Sequence, residues 1–255
     1  MEKRIYTAED FGQGDLAWKM IRTGKITSSN VYNLFSKPRK AEQGEPFGEI
    51  GKSYLFDVAS GKNLKDVYKD EHLFEDYLNR IDCTTKEMRY ESENELLARC
   101  IYAKKIGASY TYVEDGEEKK MEGENFILKE YSFVECLGEY DGYGDSPDGV
   151  ICDNGGTPIG CLEIKCPKPA TYLKYRYQFE QGLTLKDIEP KYYYQCLSHC
   201  LANDVKWCDF VIFDKMQKNG FFVKRIEPND WDIEELKGMI LIGLNYINRI
   251  LKNLV

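Results

Sequence analysis

The residues whose types and spacing could do chemistry lie within residues 144–167. A Pro-Asp-Gly turn places Asp148 at the start of a short apolar strand, and a second strand follows after a loop. The second strand contains Leu-Glu-Ile-Lys, in which side-chain alternation puts Glu163 and Lys165 on one face and the two apolar residues on the other. If the two strands form one hairpin, Asp148 lies beside Glu163.

Two neighbouring carboxylates repel each other and raise one pKa unless a cation neutralises them. Mg²⁺ or Mn²⁺ suits carboxylate oxygens, whereas zinc favours histidine or cysteine. Such an ion lowers the pKa of a bound water and stabilises charge on a phosphate, and Lys165 beside it can hold or deprotonate that water. The set therefore predicts phosphodiester hydrolysis. The alternatives are a plain turn at Asp148 and an ordinary surface ion pair between Glu163 and Lys165. The ion-pair alternative is weaker, because the rest of the strand is apolar.

The elements that must position these side chains predict an α+β fold with a mixed central β-sheet flanked by helices. Helices are predicted over residues 13–22, 27–35, 49–60, 64–80, 86–106, 170–177, 191–203 and 229–255. Strands are predicted at 110–113, 125–128, 133–140, 148–153, 159–165, 207–213 and 220–226. Thr27 and Asn229 are the expected N-caps of their helices, and Asp115-Gly116 is the expected turn between the first two strands.

The chain shows no internal repeat, low-complexity tract or linker. A single domain over residues 1–255 is therefore predicted. It divides into a helical part over 1–85, a core over 86–228 and a C-terminal helix over 229–255.

The charge is distributed unevenly. A net charge of −8 argues against a protein that coats nucleic acid indiscriminately. Residues 16–41 and 164–179, however, contain several lysines and arginines and no acidic residue. Two such runs favour a phosphate-lined cleft over ordinary solvated faces.

The N-terminus and the cysteines indicate the compartment. The N-terminus lacks an apolar export signal, and no stretch reaches the ~20 apolar residues that cross a bilayer. The nine cysteines are therefore predicted to be reduced thiols in the cytoplasm, mostly packed in the core. Cys196, Cys200 and Cys208 lie closer together in sequence but lack the C-x2-C pair of a metal or iron–sulfur site. His72 and His199 are interpreted as surface or packing residues rather than ligands.

The set of Asp148, Glu163 and Lys165 resembles the PD-(D/E)XK nuclease superfamily with its restriction-endonuclease-like core. The rest of the chain resembles one branch, the phage lambda exonuclease family of YqaJ-type viral recombination nucleases. Residues 14–29 are similar to its opening signature, W-x3-R-x-G-x-I-T-[AS]-S, and the similarity continues through residues 36–39. The resemblance implies that the helical part over 1–85 grips the 5′ phosphate and nearby DNA through Trp18, Arg22, Thr27, Ser29 and Arg39. An arginine fork, hydroxyls and the free N–H groups of a helix start also make a phosphate cradle on physical grounds.

Two further matches extend the resemblance. The segment that begins at Glu95 resembles the family helix that supplies an extra active-site glutamate. Glu91 and Glu93 are candidates by composition, but only Glu95 keeps the E-x2-A spacing, and Glu91 stands where the family often has glycine. Gln195 matches a glutamine that supports the catalytic lysine. The implied metal ligands are the carboxylates of Asp148, Glu163 and Glu95 and the main-chain carbonyl of Ile164.

The resemblance implies a Mg²⁺-dependent 5′→3′ exonuclease that degrades one strand of duplex DNA and leaves 3′ overhangs, using one or two ions, with Mn²⁺ as a substitute. It also implies a ring-shaped homo-oligomer, commonly a trimer, that takes DNA ends into a channel. A single-strand annealing partner in phage-type homologous recombination, a phage or prophage origin in a bacterial cell, and no membrane partner are expected. The alternatives are a structure-specific or single-strand DNA endonuclease on the same core and, in another class, a non-catalytic DNA-end-binding module.

Overall fold

The computed structural model describes residues 1–38, 45–81 and 85–254, which fall into two compact units. Unit 1 comprises Met1–Cys83, Ser132–Ser146 and Asn229–Val255, and unit 2 comprises Thr84–Tyr131 and Pro147–Pro228. The short segment Ser132–Ser146 thus groups with the N-terminal part, although it falls inside the core predicted over 86–228. One nuclease domain over the whole chain remains a prediction.

Strands and helices occur in both units and confirm the predicted α+β class. The strands are β1 (Lys3–Thr7), β2 (Ile26–Thr27), β3 (Ala108–Glu114), β4 (Glu117–Met121), β5 (Phe126–Lys129), β6 (Tyr131–Cys136), β7 (Tyr143–Asp145), β8 (Gly149–Cys152), β9 (Pro158–Lys165), β10 (Cys208–Phe213) and β11 (Phe221–Ile226). The α-helices are α1 (Leu16–Arg22), α2 (Glu49–Lys62), α3 (Glu71–Ile81), α4 (Lys86–Ile106), α5 (Pro169–Glu180), α6 (Leu185–Ile188), α7 (Pro190–Asn203) and α8 (Asp230–Lys252). Short 3₁₀ helices cover Ser28–Phe35, Asp66–Lys69 and Gly138–Tyr140.

Unit 2 is built on a seven-stranded mixed sheet in the order β11-β10-β9-β8-β5-β3-β4. β8 and β9 form the predicted antiparallel hairpin, and β10 runs parallel to β9 on its other side. Leu162 and Ile164 of β9 are fully buried in a core that they share with Tyr102 of α4. The alternating pattern along β9 therefore has the predicted consequence, because it turns Glu163 to the opposite face, where α7 packs.

The turn at Asp115-Gly116 is predicted correctly, but the strand that follows it is not. Asp115 and Gly116 both have positive φ, 54° and 79°, and they connect β3 to β4. The predicted partner across this turn, β5, pairs with β3 in parallel instead. β4 reads Glu-Glu-Lys-Lys-Met and lies at the edge of the sheet. Edge strands commonly carry charged side chains. The sequence of β4 therefore lacks the alternation of apolar residues from which a strand is predicted.

Unit 1 contains a four-stranded sheet in the order β1-β6-β7-β2, together with α1, α2, α3 and α8. α8 carries a buried apolar stripe formed by Leu236, Ile240, Leu244 and Ile247. Its start is capped as predicted, because the Asn229 side chain accepts a hydrogen bond of 2.8 Å from the N–H of Asp232. Within the described residues, no helix combines the length and the apolar character that a membrane crossing requires.

Two helices of unit 1 differ from their predicted form. The helix after Thr27 is a 3₁₀ helix over Ser28–Phe35, and the Thr27 side chain makes no capping hydrogen bond. The helix predicted over 64–80 is broken at Asp70, which is extended and whose Oδ1 accepts a hydrogen bond of 3.1 Å from the N–H of His72. A short acidic side chain bonded to the following backbone favours a new helix start over continuation.

Candidate active site

Asp148 lies at the foot of the β8–β9 hairpin, one residue before β8 begins. Its main-chain N–H donates to the carbonyl of Leu162 at 3.1 Å. Its side-chain Oδ2 accepts a hydrogen bond of 2.6 Å from the main-chain N–H of Ile164. These two bonds bring Asp148 against the Leu-Glu-Ile-Lys segment, as the hairpin hypothesis requires.

Glu163 and Lys165 share one face of β9, as predicted, and form an ion pair. Lys165 Nζ lies 2.7 Å from Glu163 Oε1, and the Glu163 side chain is 1 % exposed. The same ammonium donates to Glu91 Oε1 on α4 at 2.8 Å and lies 5.3 Å from the ring centre of Tyr192 on α7. Lys165 is therefore held between two carboxylates and an aromatic ring.

His199 on α7 contacts the other oxygen of Glu163. The His199 side chain is fully buried, and its Nε2 lies 2.7 Å from Glu163 Oε2. The sequence predicted only a packing or surface role for His199 and did not predict this contact. Nothing in the sequence of α7 signals it, because the contact depends on how the helix crosses β9. His72, by contrast, is exposed.

Burial and charge shift the ionisation of these groups in different directions. Burial raises the pKa of Asp148 well above its ordinary value, and the negative charges of Glu163 and Glu95 raise it further. Burial also opposes ionisation of Glu163, but the charge of Lys165 and the hydrogen bond from His199 outweigh it and lower the pKa of Glu163 to about 2. Burial lowers the pKa of Lys165, whereas the charge of Glu163 raises it well above its usual range. The site thus combines a carboxylate, an ammonium and a second carboxyl group that ionises with difficulty.

Among the candidate glutamates of α4, Glu91 contacts Lys165 and Glu95 does not. Glu95 pairs instead with Arg99, which also lies 2.8 Å from Glu130. Burial raises the pKa of Glu95, although the positive charge of Arg99 opposes the shift. The active-site role of Glu95 therefore remains a prediction, and Glu91 is a neighbour of the lysine that the family spacing did not single out.

Gln195 lies on α7 and is 5 % exposed. Over the part of the chain that the structure describes, Gln195 makes no hydrogen bond to Lys165, whose ammonium lies between Glu163 and Glu91. Tyr192, on the same helix, does lie beside the lysine. A supporting role for Gln195 remains a prediction without a direct contact.

The donor set of this site fits a hard divalent cation. In the described ranges, no three His, Cys, Asp or Glu side chains are grouped so that they could hold a metal ion. The candidate ligands are instead two carboxylates, Asp148 and Glu163, with the main-chain carbonyl of Ile164. Glu163 Oε1 is buried and accepts no hydrogen bond of good geometry, although Lys165 Nζ is 2.7 Å away. A buried acceptor with spare capacity, beside a carboxyl group of raised pKa, is what Mg²⁺ or Mn²⁺ would satisfy.

The cysteines within the described ranges do not form a second candidate centre. The eight described cysteines are thiols outside any disulfide, and all but Cys100 are buried. Burial raises the pKa of Cys208 well above its ordinary value, and a hydrogen bond with Cys196 raises it further. Burial of these side chains is consistent with the predicted packing role.

In unit 1, several predicted phosphate-binding residues come together. The Arg22 guanidinium donates to Ser29 Oγ at 3.3 Å, and Ser29 Oγ lies 3.4 Å from Thr27 Oγ1. Burial lowers the pKa of Arg22 to about 10, against the opposing charge of Asp145. The guanidinium still carries its charge at neutral pH, so a half-buried cation and two hydroxyls are available to an anion. Arg39 lies outside the described residues.

Trp18 supports Arg22 from the same helix. The guanidinium carbon of Arg22 lies 4.0 Å from the centre of a Trp18 ring. Trp18 Nε1 donates to the carbonyl of Ser132 at 3.0 Å and to Ser146 Oγ at 3.1 Å, which fixes the indole. Ser146 is a further hydroxyl beside Trp18 that sequence reasoning did not single out. We call Trp18, Arg22, Thr27 and Ser29 the Arg22 cluster.

Solved structures share this fold. The alkaline exonuclease LHK-Exo from Laribacter hongkongensis matches with a TM-score of 0.66 and 21 % identity, over 94 % of this chain and 96 % of that chain. Its complex with dAMP matches with a TM-score of 0.67 at the same identity and coverage. A phage related exonuclease from Haemophilus somnus 129PT matches with a TM-score of 0.57 and 11 % identity, over 91 % of this chain and 96 % of that chain. These likenesses confirm the predicted fold class.

The family follows from sequence. No curated protein sequence matches the chain significantly. A sequence model of the YqaJ-like viral recombinase domain, however, matches residues 17–203, which is most of the chain. The matched range includes both the Arg22 cluster and the β8–β9 hairpin. The chain therefore belongs to the family of the YqaJ-like viral recombinase domain.

Proposed function

We propose that the chain is a metal-dependent 5′→3′ exonuclease that acts on the ends of double-stranded DNA and leaves 3′ overhangs for recombination. The observation that carries this proposal is the juxtaposition of Asp148, Glu163 and Lys165 on the β8–β9 hairpin. Two carboxylates and an ammonium on neighbouring strands suit hydrolysis of a phosphodiester by a metal-activated water. Membership of a viral recombinase family supports a role in recombination.

The residues of the hairpin have separate tasks in this proposal. The carboxylates of Asp148 and Glu163 and the carbonyl of Ile164 would hold Mg²⁺, or Mn²⁺ in its place, and the bound ion would supply a water of lowered pKa and positive charge for the phosphate. Lys165 keeps its proton, because the charges of Glu163 and Glu91 raise its pKa although burial lowers it. Its ammonium therefore donates hydrogen bonds that hold the attacking water and offset negative charge on the phosphate.

The Arg22 cluster is proposed to bind the 5′-terminal phosphate. Arg22 can offer two parallel N–H groups to phosphate oxygens, and the hydroxyls of Thr27 and Ser29 can donate to the remaining oxygens. A terminal phosphate carries more negative charge than an internal phosphodiester, so this cluster favours phosphorylated ends. A grip on the 5′ end gives digestion its direction.

Two proteins of similar fold, an alkaline exonuclease and a phage related exonuclease, support exonuclease activity over endonuclease activity. On the family basis we also propose a ring-shaped homo-oligomer, commonly a trimer, and a single-strand annealing partner. A phage or prophage origin in the bacterial cytoplasm belongs to the same proposal.

Labelled DNA ends test the activity. Linear duplexes with a 5′-phosphate or a 5′-hydroxyl, labelled on their 3′ ends, are incubated with Mg²⁺ beside a covalently closed circle. We expect strands with a 5′-phosphate to be shortened before strands with a 5′-hydroxyl, the 3′ label to stay on each shortening strand, and the circle to survive. Digestion from 3′ ends, or cutting of the circle, would overturn the proposal. Binding without digestion in either Mg²⁺ or Mn²⁺ would indicate a non-catalytic end-binding module.

A further inference from the structure

His199 is a buried polar residue that the proposed reaction leaves without a task. It is one of two histidines in the chain, and it is 0 % exposed. Its Nε2 lies 2.7 Å from Glu163 Oε2. Glu163 is paired with the Lys165 ammonium at 2.7 Å and is therefore a carboxylate, whose oxygens accept hydrogen bonds. The imidazole N–H therefore donates and Oε2 accepts.

Two groups therefore divide the Glu163 carboxylate between them. His199 bonds Oε2, whereas Oε1 lies 2.7 Å from Lys165 Nζ and accepts no hydrogen bond of good geometry. A glutamate side chain has several rotatable bonds, so without a partner it could exchange its oxygens or swing away from the strand. The bond to Oε2 removes that freedom and leaves Oε1 directed towards Lys165.

The backbone that carries His199 is fixed to β9. The carbonyl of His199 accepts a hydrogen bond from Asn203 Nδ2 at 2.9 Å and a weaker one from Cys161 Sγ at 3.8 Å. Cys161 lies on β9, two residues before Glu163. The backbone that carries the imidazole therefore contacts the strand that carries the carboxylate, two residues away from the glutamate that the imidazole bonds.

We propose that His199 is a positioning residue: it orients Glu163 so that Oε1 is presented to the divalent ion, and it touches neither ion nor DNA. This inference rests on the proposed function, because it gives Glu163 an ion to bind. Hydrogen bonds to metal-ligating side chains fix their orientation, and losing such a partner weakens metal binding or activity by about 10- to 100-fold. A packing role alone makes a different prediction, that any side chain of similar volume suffices.

Three substitutions at residue 199 separate the two roles. His199→Leu fills the space without a donor, His199→Gln returns an N–H near the position of Nε2, and His199→Asn carries an amide too short to reach Oε2. His72→Gln is the matched control, since His72 is exposed. The first readout is Mn²⁺ binding to the intact protein without DNA, followed through the electron paramagnetic resonance signal of free Mn²⁺. Thermal unfolding of the metal-free protein and the kcat and KM of digestion complete the set.

We expect His199→Leu and His199→Asn to bind Mn²⁺ about 10- to 100-fold more weakly, with kcat reduced and KM for DNA nearly unchanged. His199→Gln should recover most of the Mn²⁺ affinity, and His72→Gln should equal the wild type. If His199→Leu does not fold, the comparison of His199→Gln with His199→Asn decides.

Wild-type Mn²⁺ affinity in all variants, or losses that follow thermal stability alone, would overturn the positioning role while leaving the proposed function intact. A wild-type protein that binds no Mn²⁺ would overturn both.

Discussion

Asp148 accepts a 2.6 Å hydrogen bond from the main-chain N–H of Ile164, so its carboxylate is fastened to the strand that carries Glu163 and Lys165. Together with the bond from the Asp148 N–H to the carbonyl of Leu162, it keeps β8 and β9 in register at the site. The residue that precedes β8 can therefore supply a carboxylate to a site whose other two side chains, Glu163 and Lys165, come from β9.

Replacing Lys165 by Ala should abolish digestion while end binding persists. The ammonium is the positive group beside Glu163, and removing a donor that stabilises developing charge costs about 10²- to 10³-fold in rate. Single-turnover digestion in Mg²⁺ measures the rate of cleavage. Fluorescence anisotropy of labelled DNA ends, without a divalent ion, measures binding separately. Unchanged digestion by this variant would remove Lys165 from the mechanism.

Glu91→Gln should slow digestion more than Glu93→Gln. Glu91 accepts the hydrogen bond that fixes Lys165 Nζ at 2.8 Å, and misplacing a reacting group can cost about 10- to 100-fold. Glu93 lies on the same helix and is exposed, which makes it the matched control. Comparing kcat for the two variants and for Glu95→Gln tests the helix register. A large loss for Glu95→Gln alone would favour the family spacing over the contact with Lys165.

Arg22→Lys should reduce the preference for 5′-phosphorylated over 5′-hydroxyl ends by about 10-fold, the equivalent of ~1.4 kcal/mol for a charge-assisted hydrogen bond. Lysine keeps the charge but loses the fork that binds two phosphate oxygens. Competition between the two kinds of end in one digestion gives the ratio directly. Lys19→Ala, an exposed position on the same helix, is the control and should leave the ratio unchanged. If Arg22→Lys keeps the full preference for 5′-phosphorylated ends, Arg22 does not bind the 5′ phosphate.

Local patterns in the sequence predict much of this site, because they depend on neighbours along the chain. The period of two in β9 is sufficient to place Glu163 and Lys165 together and Leu162 in the core. The closing glycine of α4 is equally local, since Gly107 adopts the left-handed conformation with φ 68°.

Contacts between distant elements could not be predicted in this way. His199 reaches Glu163, and Glu91 reaches Lys165, only because α7 and α4 cross β9 at particular angles that no spacing encodes. The family spacing pointed to Glu95, and the fold pairs that residue with Arg99. The sequence thus predicts the reactive residues of the hairpin, whereas the contacts of His199 and Glu91 with them depend on tertiary packing.

The pKa of Asp148 predicts an unusual effect of Asp148→Asn on stability. Burial, with the charges of Glu163 and Glu95, raises this pKa well above its ordinary 3.8 in the folded protein. Folding then favours the protonated form, so the stabilising contribution of Asp148 is complete below pH 3.8 and is lost as pH rises through the raised pKa. Asparagine cannot ionise, and its amide oxygen can still accept the bond from Ile164.

The metal-free Asp148→Asn protein should therefore melt at a higher temperature than wild type at neutral pH, and the difference should shrink as the pH falls towards 4. Mn²⁺ should reverse the order. At 100 times its Kd it stabilises the wild type by about 2.7 kcal/mol, and it should do much less for a variant that has lost a ligand. Thermal melts across a pH series, with and without Mn²⁺, measure both effects. A lower melting temperature for the metal-free variant at neutral pH would contradict the raised pKa.

The most direct measurement is the position of Mn²⁺ in crystals of the protein, located by its anomalous scattering. We predict a peak within coordination distance of one carboxylate oxygen each of Asp148 and Glu163 and of the carbonyl oxygen of Ile164, with Lys165 outside the coordination sphere. A peak at some other group, or carboxylates of Asp148 and Glu163 that stay clear of the ion at saturating Mn²⁺, would contradict it.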